Sequence, residues 1–159
     1  MDMTRSMNEQ IVETLYEEAL ALADDVRAAF AAPPPDDAAA SLALSIEGMR
    51  TTTRVLNVLA WLLNRRAYFH GEISARQLER VNRLGENRPS DRDCLAQLEP
   101  ATRALIAETE SLHRRVARLD ADWRDQSDTS APHGPVGKLQ GRLSDVFGAR
   151  AQAAPSALA

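Results

Sequence analysis

Apolar side chains recur along the opening stretch at steps of three and four: Ile11, Val12, Leu15, Ala19, Leu22, Val26 and Phe30. That spacing places them on one face of a helix over about residues 5–32. The opposite face carries Glu9, Glu13, Glu17, Asp24 and Asp25. The run Pro33-Pro34-Pro35 ends this helix, because proline lacks the amide hydrogen and its ring clashes with the preceding turn. Asp36 or Asp37 is placed to cap a second helix, expected over 38–69, by accepting bonds from its unpaired first amides. His70-Gly71 reads as its C-terminal cap, since glycine takes the left-handed conformation cheaply. The polar segment "EISARQLERVNRLGENRPSDRD" predicts a short helix plus loop. Pro100, a favoured first-turn residue, opens a third helix with the stripe Leu105, Thr109, Leu112, Val116, Leu119 and Trp123.

Beyond Trp123 the pattern breaks. "RDQSDTSAPHGPVG" is rich in Ser, Asp, Pro and Gly and reads as a linker. Val136, Leu139, Leu143, Val146 and Phe147 then form one short amphipathic face, a candidate contact in the tail over 136–147. That face either docks in a partner's groove or covers the chain's own bundle; the pattern leaves both open. The remaining "GARAQAAPSALA" has too little apolar area to order itself. No strand signal is present. The expected fold is all-α: an antiparallel three-helix bundle over 1–124, with a short polar insertion between helices 2 and 3. Residues 125–159 are expected to be a linker and a flexible, largely disordered tail.

The second helix is too apolar for a surface helix. Ile46, Met49, Thr53, Leu56, Ala60 and Leu63 line one flank, and Leu44, Val55, Val58, Leu59, Leu62 and Phe69 the other. A surface helix needs an apolar arc of little more than about 100°. This one has more, so it is the central element, covered from several sides or leaving a binding patch. Between the flanks runs a polar stripe: Glu47, Arg50, Arg54, Asn57, Trp61, Arg65 and Tyr68. It reads either as a solvated, salt-bridged face or as a recognition strip, because Trp, Tyr and Arg dominate interface hot spots. Gly48, beside Thr51–Thr53, fits close approach of another backbone, within the chain or across a subunit interface.

Composition narrows the function classes. Over 159 residues the net charge is −4, against the basic excess usual for nucleic-acid binders. Cys94 is the only cysteine, so no intramolecular disulfide forms, which suits a reduced, cytoplasmic protein. The polar N-terminus is unlike a signal peptide. The longest apolar run, 55–63, falls far short of the ~20 residues that span a bilayer. His70, His113 and His133 are scattered without metal-ligand spacing; His113 reads as a partly exposed helix residue and His70 as part of the cap. No nucleophile motif or phosphate loop is present, so neither catalytic residues nor cofactors are expected.

Four segments, "LYEEALALADDVRAAF", "LSIEGMRTTTRVLNVLAWLLNRRA", "GEIS" and "SLHRRVARLD", resemble the alphaproteobacterial family called regulator of CtrA degradation, RcdA. The similarity covers about residues 5–122 and is most specific over 44–74. It implies a non-enzymatic adaptor that helps deliver cell-cycle regulators, including the response regulator CtrA, to the ClpXP protease at a cell pole. The resemblance further implies homodimers, acting beside the adaptors CpdR and PopA. Its motif positions here are Ile46, Glu47, Gly48, Met49, Arg50, Thr53 and Arg54. Alternatives are a polar scaffold that binds regulators without delivering them, a helical transcription regulator, and a small-molecule sensor.

Overall fold

The computed structural model describes residues 2–130, with side chains from 3 to 126. Five helices follow one another: α1 (Asp2–Ala31), α2 (Ala38–Phe69), α3 (Ala75–Val81), α4 (Arg92–Ala96) and α5 (Pro100–Ser130). No strand occurs among the described residues, and the fold is all-α. The chain divides into two compact units, Met1–Ala117 and Arg118–Ala159, with α5 lying on both sides of the boundary.

The helix ends follow the local chemistry. α1 stops before the proline run, and Asp37, not Asp36, caps α2 by accepting from the Ala40 amide at 2.8 Å. At the other end of α2 the His70 amide donates to the Arg66 carbonyl at 2.9 Å and the Gly71 amide to the Tyr68 carbonyl at 3.1 Å. Gly71 follows at φ 76°, the left-handed geometry that a side chain would strain. The polar insertion holds two short helices rather than one. Ser74 and Gln77 form a reciprocal capping box on α3. Asp91 caps α4, accepting from the Asp93 and Cys94 amides. Those two bonds hold its carboxyl below the usual carboxylate range.

In the first unit, the face expected on α1 is the one buried: Val12, Leu15, Ala19, Leu22 and Val26. Against it α2 contributes Val55, Val58, Trp61 and Leu62, and α5 contributes Ile106, Leu112 and Val116. Burying a residue of this size is worth about 1.5–3 kcal/mol, so this apolar set is the main stabilising term. A smaller cluster of Ala43, Leu98 and Ile106, with Phe30, Leu44, Cys94 and Leu95 packed on it, seals the end near α4.

In the second unit the described residues continue α5 to Ser130, through positions read from sequence as the start of a linker. Residues 124–130 contain no proline, and Arg124 pairs with Asp120 one turn earlier, so nothing local stops the helix. The tail residues Val136, Leu139, Leu143, Val146 and Phe147 lie outside the described residues.

Candidate functional site

The middle helix α2 carries the candidate residues, and the structure sorts them onto two faces that invert the expected roles. The stripe read as solvated or as a recognition strip turns largely inward. Glu47 is 0% exposed, Arg54 1% and Trp61 1%. Arg50, Asn57, Arg65 and Tyr68 are partly covered.

Arg54 is the centre of this inner face, and its fork is filled on every side. Its Nε donates to Asn87 Oδ1 at 2.7 Å and its Nη1 to Thr109 Oγ1 at 2.9 Å. Nη2 donates to the Arg88 carbonyl at 3.0 Å and to Glu110 Oε1 at 3.3 Å. The Thr109 hydroxyl donates in turn to the Ile106 carbonyl at 2.7 Å, so it accepts and donates at once. Burial pushes the Arg54 guanidinium below the ordinary arginine value, while Glu110 and Glu47 oppose that shift. Arginine starts so high that it stays charged, and its planar fork suits this multidentate seat better than a lysine ammonium would.

Around Arg54, side chains from α2 and α5 hold the chain between α3 and α4. Glu110 Oε1 accepts from the Ser90 amide at 3.1 Å and from its hydroxyl at 2.9 Å. Glu47 Oε1 accepts from the Asp91 amide at 3.0 Å and from Arg50 Nη1 at 2.7 Å. His113, 7% exposed rather than partly exposed as its position suggested, sits with Nε2 3.0 Å from the Gly85 carbonyl. A Cβ on Gly85 would fall 2.4 Å from Asn57 Cγ, so a bare glycine is what lets this loop approach α2. With the Asn82 amide turned so that donors face acceptors, its oxygen accepts from Trp61 Nε1 at 3.2 Å and from Arg65 Nε at 2.6 Å. Arg65 also lies over the Trp61 ring, 5.1 Å from its centre. The loop thus borrows its order from buried side chains of neighbouring helices. Glu47 Oε2 and Thr51 Oγ1, one turn apart, make no hydrogen bond to the protein.

The ends of α2 are tied to α1 in the same manner. Arg66 Nε donates to Glu13 at 2.7 Å and its guanidinium lies 4.2 Å from the centre of the Tyr16 ring. Arg5 reaches the Phe69 carbonyl at 3.3 Å and covers Tyr68. At the opposite end, Gly48 faces Phe30 of the same chain: a Cβ there would lie 2.9 Å from Phe30 Cδ1. The close approach that Gly48 signals is therefore an aromatic ring of α1 rather than a second backbone.

The outer flank of α2 is the exposed one. Met49 is 75% exposed, Leu42 62%, Leu56 59% and Leu63 47%. Thr53 and Ala60 are exposed between them, and Ile46 is half-buried. Beside this flank an open groove of about 470 Å³ is lined by Phe30, Pro34, Leu44, Gly48, Met49 and Thr52.

Of the sequence-derived candidates, Glu47, Arg50 and Arg54 converge on one buried polar hub, whereas Met49 and Thr53 lie on the outer flank. The sequence reading did not connect Asn82, Gly85, Asn87, Ser90, Glu110, or the already noted Thr109 and His113, with this hub. One signal was available: a long polar segment with Gly and Pro but no period of its own must find partners for its backbone elsewhere. Among the described residues no cluster of His, Cys, Asp and Glu could hold a metal ion, and no helix is long and apolar enough to cross a membrane. No curated protein and no solved structure matches the chain. A family model does match, over residues 3–147, and the chain belongs to that family, DUF1465, described as a protein of unknown function.

Proposed function

We propose that this protein is a non-enzymatic adaptor that helps deliver cell-cycle regulators, such as a CtrA-like response regulator, to the ClpXP protease. The observation that supports this reading is the division of labour on α2. The charged residues that carry the resemblance to the RcdA family have their partners inside the fold: Glu47 bonds to Arg50 and the Asp91 amide, and Arg54 to Asn87 and Thr109. What α2 offers to solvent is an apolar flank, which is a surface for binding another macromolecule. In this reading the hub holds a rigid platform, and CpdR-like and PopA-like proteins and cargo dock on its exposed surfaces. The adaptor acts in the cytoplasm at a cell pole. The amphipathic segment 136–147 supplies a second, tethered contact that raises effective concentration.

The test is degradation of a purified response regulator by ClpXP with CpdR and PopA present. Full-length protein is compared with a version ending at Ser130, which leaves α5 whole. Acceleration by the full-length protein supports the reading. If the shorter version accelerates equally, the active surface is the helical platform. Partner binding with no acceleration by either version overturns delivery and favours a scaffold that only localises its partners.

A further inference from the structure

We infer that residues 82–91 form a releasable strap over the inner face of α2, which opens as one unit and presents Arg54 and Asn57 to solvent while the helices stay packed. The apolar side chains of this stretch hold it poorly: Leu84 is half-buried and Pro89 exposed. Buried apolar anchors stand on either side of it, at Leu78 of α3 and at Leu98 in the cluster beside α4. Among the described residues, no backbone amide from Leu84 to Asp91 donates to a backbone carbonyl. The stretch therefore has neither a core nor a ladder of its own.

What closes the strap is a set of polar bonds to side chains of α2 and α5. The Gly85 carbonyl meets His113, and Asn87 Oδ1 and the Arg88 carbonyl accept from Arg54. The Ser90 amide donates to Glu110 and the Asp91 amide to Glu47. Arg54 serves two of these points and also pairs with Glu110, which holds a third. Losing one contact weakens the next, so the strap leaves as a unit.

Two features make this opening easier than unfolding of the helices. Water replaces each polar bond when the strap lifts, whereas nothing in water replaces buried apolar contact. Opening also returns water to charges that are costly to bury: Glu47 is 0% exposed and Arg54 1%. Glu47 Oε2, which makes no hydrogen bond to the protein while the strap is closed, gains one to water.

The strap covers the strip that reads in the sequence as a recognition surface. Gly85 lies against Asn57, the Arg88 carbonyl sits on Arg54, and Asn82 meets Trp61 and Arg65. Lifting the strap brings arginine to the surface, a residue type that dominates interface hot spots. The strip is thus gated. A molecule that binds it meets only the open fraction of the protein, and its apparent affinity falls by that fraction.

Gly85 gives a handle on the strap that leaves the apolar core alone. It lies outside the left-handed region, so Gly85→Ala adds only the contact of its Cβ with Asn57, 2.4 Å away. Residue-resolved amide hydrogen exchange of the full-length chain tests the opening. The Ser90 and Asp91 amides, bonded to Glu110 and Glu47, report the closed strap; Val58, 1% exposed, reports the core. In the wild type, protection at Ser90 and Asp91 is expected to be roughly a hundredfold or more below that at Val58. Low urea should hardly change it, because lifting the strap exposes little apolar surface. Gly85→Ala is expected to lower protection at Ser90 and Asp91 about tenfold and leave Val58 unchanged. Adding Asn57→Ala, which makes room for the new methyl group, should recover most of that loss. Equal protection at Ser90 and Val58 in the wild type would overturn the proposal. So would a Gly85→Ala loss shared equally by Val58, or no recovery in the double variant. These readouts involve no protease, so they stand or fall independently of the adaptor reading.

Discussion

The two faces of α2 break the usual rule in opposite directions. The inner face buries a glutamate, an arginine and a threonine; the outer flank exposes three leucines and a methionine. On the inner face burial is affordable because Arg54 has partners for each arm of its fork, and Glu47 satisfies Arg50 and the Asp91 amide through one oxygen. On the outer flank exposure costs little for a single side chain, but a row of four along one helix is a surface with a use. Polarity alone therefore does not decide which residues face water. The number of partners within reach does.

The largest effects should come from breaking the inner face. Arg54→Met takes the Arg54 donor from Asn87 and the Arg88 carbonyl and the paired cation from Glu110. Removing one partner from a buried charge pair typically costs about 3–5 kcal/mol. Trp61→Ala removes a fully buried ring and should cost about as much, ~3–5 kcal/mol. Urea unfolding of each variant measures both. Arg54→Lys should recover only part of the loss, because an ammonium cannot reach all four acceptors at once.

Gly48→Ala should have an intermediate effect. The new Cβ must push the Phe30 ring, an overpacking cost of about 1–3 kcal/mol. Better helix propensity offsets ~1 kcal/mol of that. A net loss near 1 kcal/mol is expected, and combining it with Phe30→Leu should be less harmful than the two single losses added together.

Leu56→Ser sharpens the contrast from the other side. An exposed position should change monomer stability by less than about 0.5 kcal/mol. The smallest effect concerns pH. Asp91 has its carboxyl held below the usual range by the Asp93 and Cys94 amides. Its contribution is therefore present above the unfolded aspartate value of about 3.9 and lost as pH falls through the lower folded value. Protection of the Cys94 amide, its exchange rate relative to the intrinsic rate at the same pH, should fall below about pH 4 in the wild type. In Asp91→Asn that protection should be lower at neutral pH and unchanged across the window.

Much of the fold was legible because its punctuation is local. The proline run, the Asp37 cap, the His70-Gly71 ending and Pro100 each act through the backbone of the residues beside them. The α1 stripe was legible because one period describes it. The hub was not, because its partners come from three separate segments. Arg54 draws on α5 for Thr109 and Glu110 and on the loop for Asn87 and Arg88. A helical wheel of α2 sees only that Arg54 is charged, and so turns it toward water. The end of α5 was misread for the opposite reason. Ser and Asp in 125–130 suggest a linker, yet helix propagation needs only that no residue forbid it.

The most direct test of this account is thermal unfolding of Arg54→Met and Leu56→Ser beside the wild type, at a concentration low enough to keep the chain monomeric. A loss of about 3–5 kcal/mol in a domain of this size should lower the Tm of Arg54→Met by about 10 °C or more. Leu56→Ser should stay within about 2 °C of the wild type. The reverse order, with the arginine variant near wild type and the leucine variant strongly destabilised, would contradict the assignment of the buried polar face as the part of α2 that holds the fold.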